Sequence, residues 1–168
     1  MARANLMANV AWSWTLPGLE SELLVSQDVA NVLENHRQEQ GGTECGGQLF
    51  VDLGNPYGLM LTLATPPHIA DRAGPSWLAL DPARCQQEIE HANAQGLRLV
   101  GYWHTHPQAI PQISPTDSRS FRKFAKHYSQ YLPHPIAVIV GYSQKPEGIK
   151  AWSFRGSGYV EVTRTHHR

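Results

Sequence analysis

Two histidines and an aspartate lie close together in the second half of the chain, in and just after the run Gly-Tyr-Trp-His-Thr-His-Pro that begins at Gly101. His104 and His106 are two positions apart, so on a β-strand their side chains would project from the same face. Asp117 follows and adds a carboxylate. Two imidazoles and one carboxylate make up the three protein ligands of a catalytic zinc site, whose fourth position stays open. The pattern therefore indicates a metal centre.

Each of these residues also has an ordinary structural interpretation. A His-x-His pair on a strand can simply be two polar residues. Ser114 is a favoured helix N-cap, Pro115 suits the first helical position, and Asp117 would sit where a carboxylate favours the exposed amides. The two interpretations are compatible, because a cap that orders the start of a helix also determines where Asp117 points.

The complete pattern resembles a known motif. The order His-x-His-Pro, serine, aspartate between His104 and Asp117 is similar to the JAMM motif of the MPN+/JAB metalloprotease family. That family also has a glutamate far upstream on a strand, which matches Glu44 in the run Thr-Glu-Cys-Gly-Gly-Gln-Leu-Phe. The resemblance covers approximately residues 20–155.

The resemblance implies a role for each residue of the motif. It implies one Zn²⁺ per chain, held by His104, His106 and Asp117. Glu44 would be the general base that takes a proton from water and passes it to the leaving amine. The hydroxyl of Ser114 would help to stabilise the oxyanion of a tetrahedral intermediate.

The residues beside Glu44 leave alternatives open. Gly46 and Gly47 have no side chains, so a substrate backbone could approach closely there, or the strand could form a bulge. Cys45 would face away from Glu44 on a regular strand and would then be a small buried residue. A catalytic cysteine with a histidine partner is the rival interpretation, but a zinc site accounts for more of the residues.

The resemblance also implies a substrate. Eukaryotic JAMM enzymes cleave isopeptide bonds after the C-terminal glycine of ubiquitin. This short chain looks more like the bacterial JAMM peptidases that accompany ubiquitin-like activating and conjugating enzymes in anti-phage operons such as CBASS. It would thus release a target from a ubiquitin-like protein. One alternative is a JAMM hydrolase that frees an amino acid such as cysteine from a sulfur-carrier protein. Another is an inactive MPN scaffold.

Composition limits the remaining function classes. Lys+Arg 14 balances Asp+Glu 14, so the formal net charge of +0 gives no overall attraction to nucleic acid or to an anionic membrane. No apolar run approaches the ~18 residues of a membrane span. Polar residues interrupt the segment from Met1 to Pro17, which makes a poor signal-peptide core. The 2 cysteines do not make a disulfide framework. We therefore expect a cytoplasmic protein with neither nucleic-acid nor membrane partners.

Hydrophobic patterning predicts the elements that must position the site. Helices are expected after Ser26, at Asp81 and Pro82, and after Ser114. Interleaved strands and helices indicate an α/β or α+β domain, and the resemblance implies an MPN/JAB-like mixed sheet flanked by helices. We expect a single domain over residues 1–168, with its core at about 20–155 and an extra N-terminal strand. Strands are predicted at residues 10–16, 44–51, 59–64, 97–104, 136–140, 149–154 and 159–163, and a loop at 66–75.

Overall fold

The computed structural model describes residues 9–16, 22–55, 59–127, 135–155 and 158–165. Within these ranges the chain forms a nine-stranded mixed sheet, a two-stranded hairpin and three α-helices. The prediction of a mixed sheet flanked by helices is confirmed. No helix in the described ranges is both long and apolar enough to cross a membrane.

The helices are α1 (Gln27–Asn35), α2 (Pro82–Ala94) and α3 (Pro115–His127). The strands are β1 Val10–Thr15, β2 Glu22–Ser26, β3 Gly46–Asp52, β4 Leu59–Ala64, β5 Arg72–Gly74, β6 Trp77–Ala79, β7 Leu97–Thr105, β8 Ile136–Val140, β9 Ile149–Arg155, β10 Gly158–Glu161 and β11 Thr163–Thr165. The large sheet has the strand order β10-β9-β8-β7-β3-β4-β2-β1-β11, and the hairpin pairs β5 with β6. The pairs β7–β8 and β2–β4 are parallel, and the other neighbouring pairs are antiparallel.

Each helix begins at the capping residue that the sequence predicted. The side chains of Ser26 and Asp81 accept hydrogen bonds of 3.2 and 2.9 Å from the amides three residues later. The hydroxyl of Ser114 accepts an equivalent bond of 3.0 Å at the start of α3. These caps satisfy amide donors that a helix leaves without an internal partner. Because the caps are local, the helix starts could be predicted without knowledge of the fold.

The helices cover both faces of the large sheet. On one face, Val29 and Leu33 of α1 belong to the same core cluster as Val138 of β8. On the other face, Phe121 of α3 packs with Ile139 of β8. All five residues of β8 are buried, as expected for a strand with its two faces covered.

Alternate side chains of strand β7 point to opposite faces of the sheet. Tyr102 packs in the cluster on the α3 face, and His104 lies two positions further along. Trp103 points the other way, is fully buried, and donates a hydrogen bond of 3.0 Å from Nε1 to the Thr65 carbonyl. Trp103 therefore lies on the face of the sheet opposite to His104.

Glu44 was predicted to lie on a strand, and this prediction is wrong. Strand β3 begins at Gly46, and the two preceding residues are irregular. The amide of Glu44 donates to the Gly74 carbonyl at 2.9 Å, and that of Cys45 donates to the Thr105 hydroxyl at 3.0 Å. Just before β3, hydrogen bonds to Gly74 and to the Thr105 side chain thus take the place of regular strand pairing.

Two other predicted segments also differ in the structure. The strand expected at 159–163 is interrupted at Val162, whose amide donates to the Ala151 carbonyl at 2.9 Å. Strand β10 pairs with β9 and β11 pairs with β1, so the two edges of the sheet approach one another. The loop expected at 66–75 contains β5, the first strand of the hairpin. Both differences arise from pairing between strands, which local patterning does not reveal.

Candidate metal centre

Four side chains meet where β7 ends, where α3 begins and where the chain enters β3. The Nε2 atoms of His104 and His106 are 3.1 Å apart. Asp117 places Oδ1 3.0 Å from Nε2 of His104 and Oδ2 2.9 Å from Nε2 of His106. Oε1 of Glu44 is more distant, 4.0 Å from Nε2 of His106. The structure therefore brings together the two histidines and the two carboxylates among the five residues that the motif singled out.

The three closest groups fit the donor set of a tetrahedral metal ion. Ligand atoms bound about 2.0–2.1 Å from a tetrahedral zinc lie about 3.3 Å from one another. The two Nε2 atoms are 3.1 Å apart, slightly closer than this. Asp117 approaches each histidine with a different oxygen, Oδ1 at 3.0 Å from His104 and Oδ2 at 2.9 Å from His106, so two imidazoles and one carboxylate converge at this point. Glu44, His104 and His106 are buried, and their ligand atoms lie within 4.8 Å of one another. The two histidines could hold a metal ion together with either carboxylate, and Asp117 is the nearer one, at 2.9–3.0 Å from the histidines against 4.0 Å for Glu44.

Glu44 has the geometry of a proton carrier beside this donor set. The residue is 4% exposed, and among the described residues its Oε2 atom has no hydrogen-bond partner. Burial raises the pKa of Glu44 to about 7, while His106 opposes the shift and Asp117 adds to it. A carboxyl group with a pKa near neutrality can both take and return a proton.

Asp117 has the opposite electrostatic character. Burial alone would raise its pKa, but hydrogen bonds from His104 and His106 hold the pKa of Asp117 far below its usual range. Burial likewise opposes the charged form of His106, yet the bond to Asp117 raises the pKa of His106 overall. Environments that push the pKa values of two carboxyl groups apart assign them different roles. Its lowered pKa favours the ionised form of Asp117, which is the form in which a carboxylate can bind a metal ion.

Ser114 fixes the orientation of Asp117. The amide of Asp117 donates to the Ser114 hydroxyl at 3.0 Å, and the amide of Ser114 donates to Oδ2 of Asp117 at 2.9 Å. This reciprocal pair is a capping box, so the predicted cap is confirmed. The hydroxyl acts only as an acceptor in this bond and keeps its own hydrogen as a donor. Capping and oxyanion stabilisation are therefore compatible roles for one hydroxyl.

Neighbouring backbone leaves no room for a side chain at Gly46 and Gly47, the two glycines after Cys45. A Cβ atom on Gly46 would overlap the Trp103 carbonyl oxygen, and one on Gly47 would overlap the Thr65 carbonyl oxygen. The close approach that requires glycine at these positions is thus an approach of the protein's own backbone. Contact of Gly46 and Gly47 with a substrate stays a prediction.

Cys45 has the surroundings of a structural thiol. It packs against the core cluster on the α1 side of the sheet, and its Sγ atom donates to the His36 carbonyl at 3.5 Å. Burial raises the pKa of the Cys45 thiol, and burial raises that of Cys85 to about 11. Because the thiolate is the nucleophilic form, a raised pKa disfavours the catalytic-cysteine interpretation.

A buried arginine behind the site was missed by the sequence interpretation. Arg84 is 3% exposed and donates from one guanidinium nitrogen to the Gly46 carbonyl at 2.9 Å and to Oδ2 of Asp71 at 2.7 Å. The other terminal nitrogen donates to the Thr65 hydroxyl at 3.2 Å and to Glu88 at 3.0 Å. Arg84 thus ties α2 to the start of β3, next to Glu44. Its partners are scattered along the chain, so no spacing pattern identifies it.

A groove of about 280 Å³ runs from the metal centre between the hairpin, α2 and α3. Trp77, at the tip of the hairpin, is 48% exposed on its rim. No lysine or arginine is among the described residues that line the groove. Apolar side chains dominate its wall away from the metal centre, including Leu78, Leu80, Tyr102 and Phe124.

Comparison with known proteins agrees with this architecture. A family model described as prokaryotic homologs of the JAB domain matches residues 26–155. The solution structure of protein DSY2949 from Desulfitobacterium hafniense is similar, with a TM-score of 0.58, 17% sequence identity, and coverage of 82% of this chain and 87% of that chain. At this identity the likeness concerns the fold alone. No curated protein matches the chain.

Proposed function

The chain belongs to the family of prokaryotic homologs of the JAB domain, and from this membership we propose that it is a zinc peptidase that deconjugates a ubiquitin-like protein from its target. The bond cleaved is the amide that joins the C-terminus of the ubiquitin-like protein to an amine of the target. The observation that carries the proposal is the convergence of His104, His106 and Asp117 within 3.1 Å, with buried Glu44 beside them. A scaffold that only mediates assembly needs none of these four groups.

In this proposal each residue of the centre has one task. His104, His106 and Asp117 would hold one zinc ion per chain, which when bound would supply Lewis-acid polarisation of the substrate carbonyl and make water easier to deprotonate. Glu44 accepts the proton of the attacking water on its carboxylate and returns it to the leaving nitrogen. Ser114 donates its hydroxyl hydrogen to the oxyanion while its oxygen continues to cap α3.

The groove supports an extended protein tail as the substrate. Its apolar wall and the absence of basic lining residues in the described chain favour recognition of backbone and apolar side chains over recognition of charge. Activating and conjugating enzymes encoded nearby would supply the conjugates. We place the reaction in the cytoplasm, and the free thiols of Cys45 and Cys85 support a reducing compartment.

We expect the purified protein to contain about one equivalent of zinc and to cut a ubiquitin-like fusion or conjugate at the C-terminus of the ubiquitin-like part. Elemental analysis measures the zinc, and mass spectrometry of the products locates the cut. His106→Ala removes one of the three ligands. This variant should lose most of the zinc and all measurable cleavage.

Three outcomes of this experiment distinguish the alternatives. Cleavage by zinc-free wild-type protein would contradict the zinc peptidase. Zinc binding without cleavage of any conjugate would indicate a metal-binding scaffold. If the protein releases a single amino acid from a sulfur-carrier protein and leaves conjugates intact, its activity is the processing of the carrier and not deconjugation.

Ser114→Ala is expected to lower turnover by about 10²-fold or more, because an oxyanion donor is lost. It should also lower the free energy of unfolding by roughly 1 kcal/mol, because the N-cap of α3 is lost. Steady-state kinetics and urea denaturation measure the two effects separately.

Ser26→Ala is the matched control, since Ser26 caps α1 in the same way. We expect it to show the loss of stability without the loss of turnover. If Ser114→Ala behaves like Ser26→Ala in both measurements, Ser114 is a cap and nothing more.

A further inference from the structure

The loop between His106 and α3 contains a side chain, that of Gln108, which contacts the imidazole ring of His106. Oε1 of Gln108 lies 3.2 Å from Nδ1 of His106. Nδ1 is the ring nitrogen that does not face the metal centre, since Nε2 of His106 is the atom near Asp117 and His104. Gln108 is therefore placed to influence His106 without occupying a ligand position.

A second hydrogen bond identifies which atom of the Gln108 amide faces His106. The backbone amide of Gln112 lies 3.1 Å from the same Oε1 atom. A backbone N–H can only donate, so the side-chain atom it meets must be an acceptor, which is the oxygen and not the nitrogen of the Gln108 amide. The orientation of the amide group is thus determined by chemistry.

The orientation of Gln108 determines the protonation of one ring nitrogen. An oxygen can only accept, so Nδ1 of His106 must carry a hydrogen and donate it. Without a metal ion, Nε2 of His106 also carries a hydrogen and donates it to Asp117 at 2.9 Å. A metal ion would displace that hydrogen, and because Nδ1 stays protonated, the lone pair that binds the ion would be on Nε2. His104 differs, because its buried Nδ1 atom has no hydrogen-bond partner among the described residues.

Gln108 is itself held in place by its backbone. Its carbonyl oxygen accepts a hydrogen bond of 2.8 Å from the amide of Tyr142, in the segment that follows β8. The next carbonyl, that of Ala109, accepts one of 3.0 Å from Ser143. These two hydrogen bonds attach the loop to the segment after β8 and hold the backbone of Gln108 in place.

We propose that Gln108 is a positioning residue that holds His106 in the tautomer that binds metal through Nε2. The proposal rests on the metal site of the proposed function and adds a residue outside the ligand set. Partners that fix the tautomer and ring orientation of a ligating histidine typically contribute 10–100-fold to metal affinity. Because Gln108 is exposed, water can take the place of its amide oxygen in a variant, and we expect an effect near the lower end of that range.

Zinc affinity of the full-length protein, measured by competition with a chromophoric chelator, tests the proposal. Gln108→Leu keeps a similar size but has no acceptor, and it should weaken zinc binding by about 10-fold or more. Gln108→Glu keeps an acceptor oxygen and should bind zinc within a few-fold of wild type. Gln112→Leu is the matched control, because it leaves the Gln112 backbone amide in place and should bind zinc as wild type does.

A spectroscopic measurement separates this role from general support of the loop. In zinc-loaded protein labelled with ¹⁵N on histidine, the Nδ1–H correlation of His106 should be visible in wild type and in Gln108→Glu. It should be lost through solvent exchange in Gln108→Leu.

The outcomes distinguish failure of this inference from failure of the proposed function. If wild-type protein binds no zinc, the proposed function fails and this inference fails with it. If wild type binds zinc and Gln108→Leu binds it no more weakly than Gln112→Leu, only the role of Gln108 is overturned. Equal losses in Gln108→Leu and Gln108→Glu would also overturn it, because the acceptor oxygen would then be irrelevant.

Discussion

Replacing Glu44 by glutamine is expected to lower turnover by roughly 10²–10⁴-fold, the usual span for the loss of a general acid–base group. Glutamine keeps the size and hydrogen-bonding reach of the side chain, but it cannot accept the proton from water. Oε1 of Glu44 lies 4.0 Å from Nε2 of His106, beyond the 2.9–3.1 Å separations within the donor set. The variant should therefore retain its zinc and still bind a conjugate. Kinetics, elemental analysis and a binding assay on the same preparation measure the three properties.

Glu90→Gln is the control for this experiment, since Glu90 is exposed on α2 and accepts a hydrogen bond from Gln86 on the same helix. It should leave turnover unchanged. Wild-type turnover by Glu44→Gln would remove Glu44 as the base. Loss of zinc from Glu44→Gln would instead show that Glu44 is a ligand, and the assignment of roles in the centre would have to change.

Arg84→Met is expected to lower the free energy of unfolding by about 3–5 kcal/mol, the usual result of removing one partner from a buried ion pair. Methionine fills much of the same volume but leaves Asp71, only 8% exposed, without its cation. It also removes the guanidinium donor to the Gly46 carbonyl and one of the two donors to the Thr65 hydroxyl, which still accepts from the Gln48 amide. Urea denaturation measures the change. Arg98→Met, which changes an exposed arginine on β7, should alter stability by no more than about 0.5 kcal/mol.

The effect of Arg84→Met should depend on pH in a defined direction. Burial opposes ionisation of Asp71, but hydrogen bonds from Arg84 and from backbone amides hold the pKa of Asp71 below its usual value of 3.8. A carboxyl group whose pKa is lower in the folded state stabilises the fold above its unfolded pKa, and this contribution is lost as the pH falls through the folded pKa. The difference between wild type and variant should therefore be full at neutral pH and shrink below about pH 4. A difference that does not change in acid would contradict the role of the Arg84–Asp71 pair.

Features that depend on neighbours in the sequence could be predicted before the structure was known. The N-caps at Ser26, Asp81 and Ser114 involve an amide three residues away, so they follow from local chemistry. The alternation along β7 likewise follows from strand geometry, and it separates His104 from Trp103. The motif resemblance added Glu44, which local spacing alone would not have connected to the histidines.

Features that depend on partners distant in sequence were decided only by the tertiary structure. Glu44 reaches His106 because β3 pairs with β7 in the register that sets Gly46 opposite His104. The guanidinium group of Arg84 donates to Gly46 at the start of β3, to Asp71 between β4 and β5, and to Glu88 on α2. No pattern in the sequence shows that these segments come together. The strand predicted at residues 159–163 divides at Val162 because its two parts pair with opposite edges of the sheet. Local chemistry determines which residue types stand at which positions on a helix or strand, whereas strand pairing and burial determine which of them come into contact.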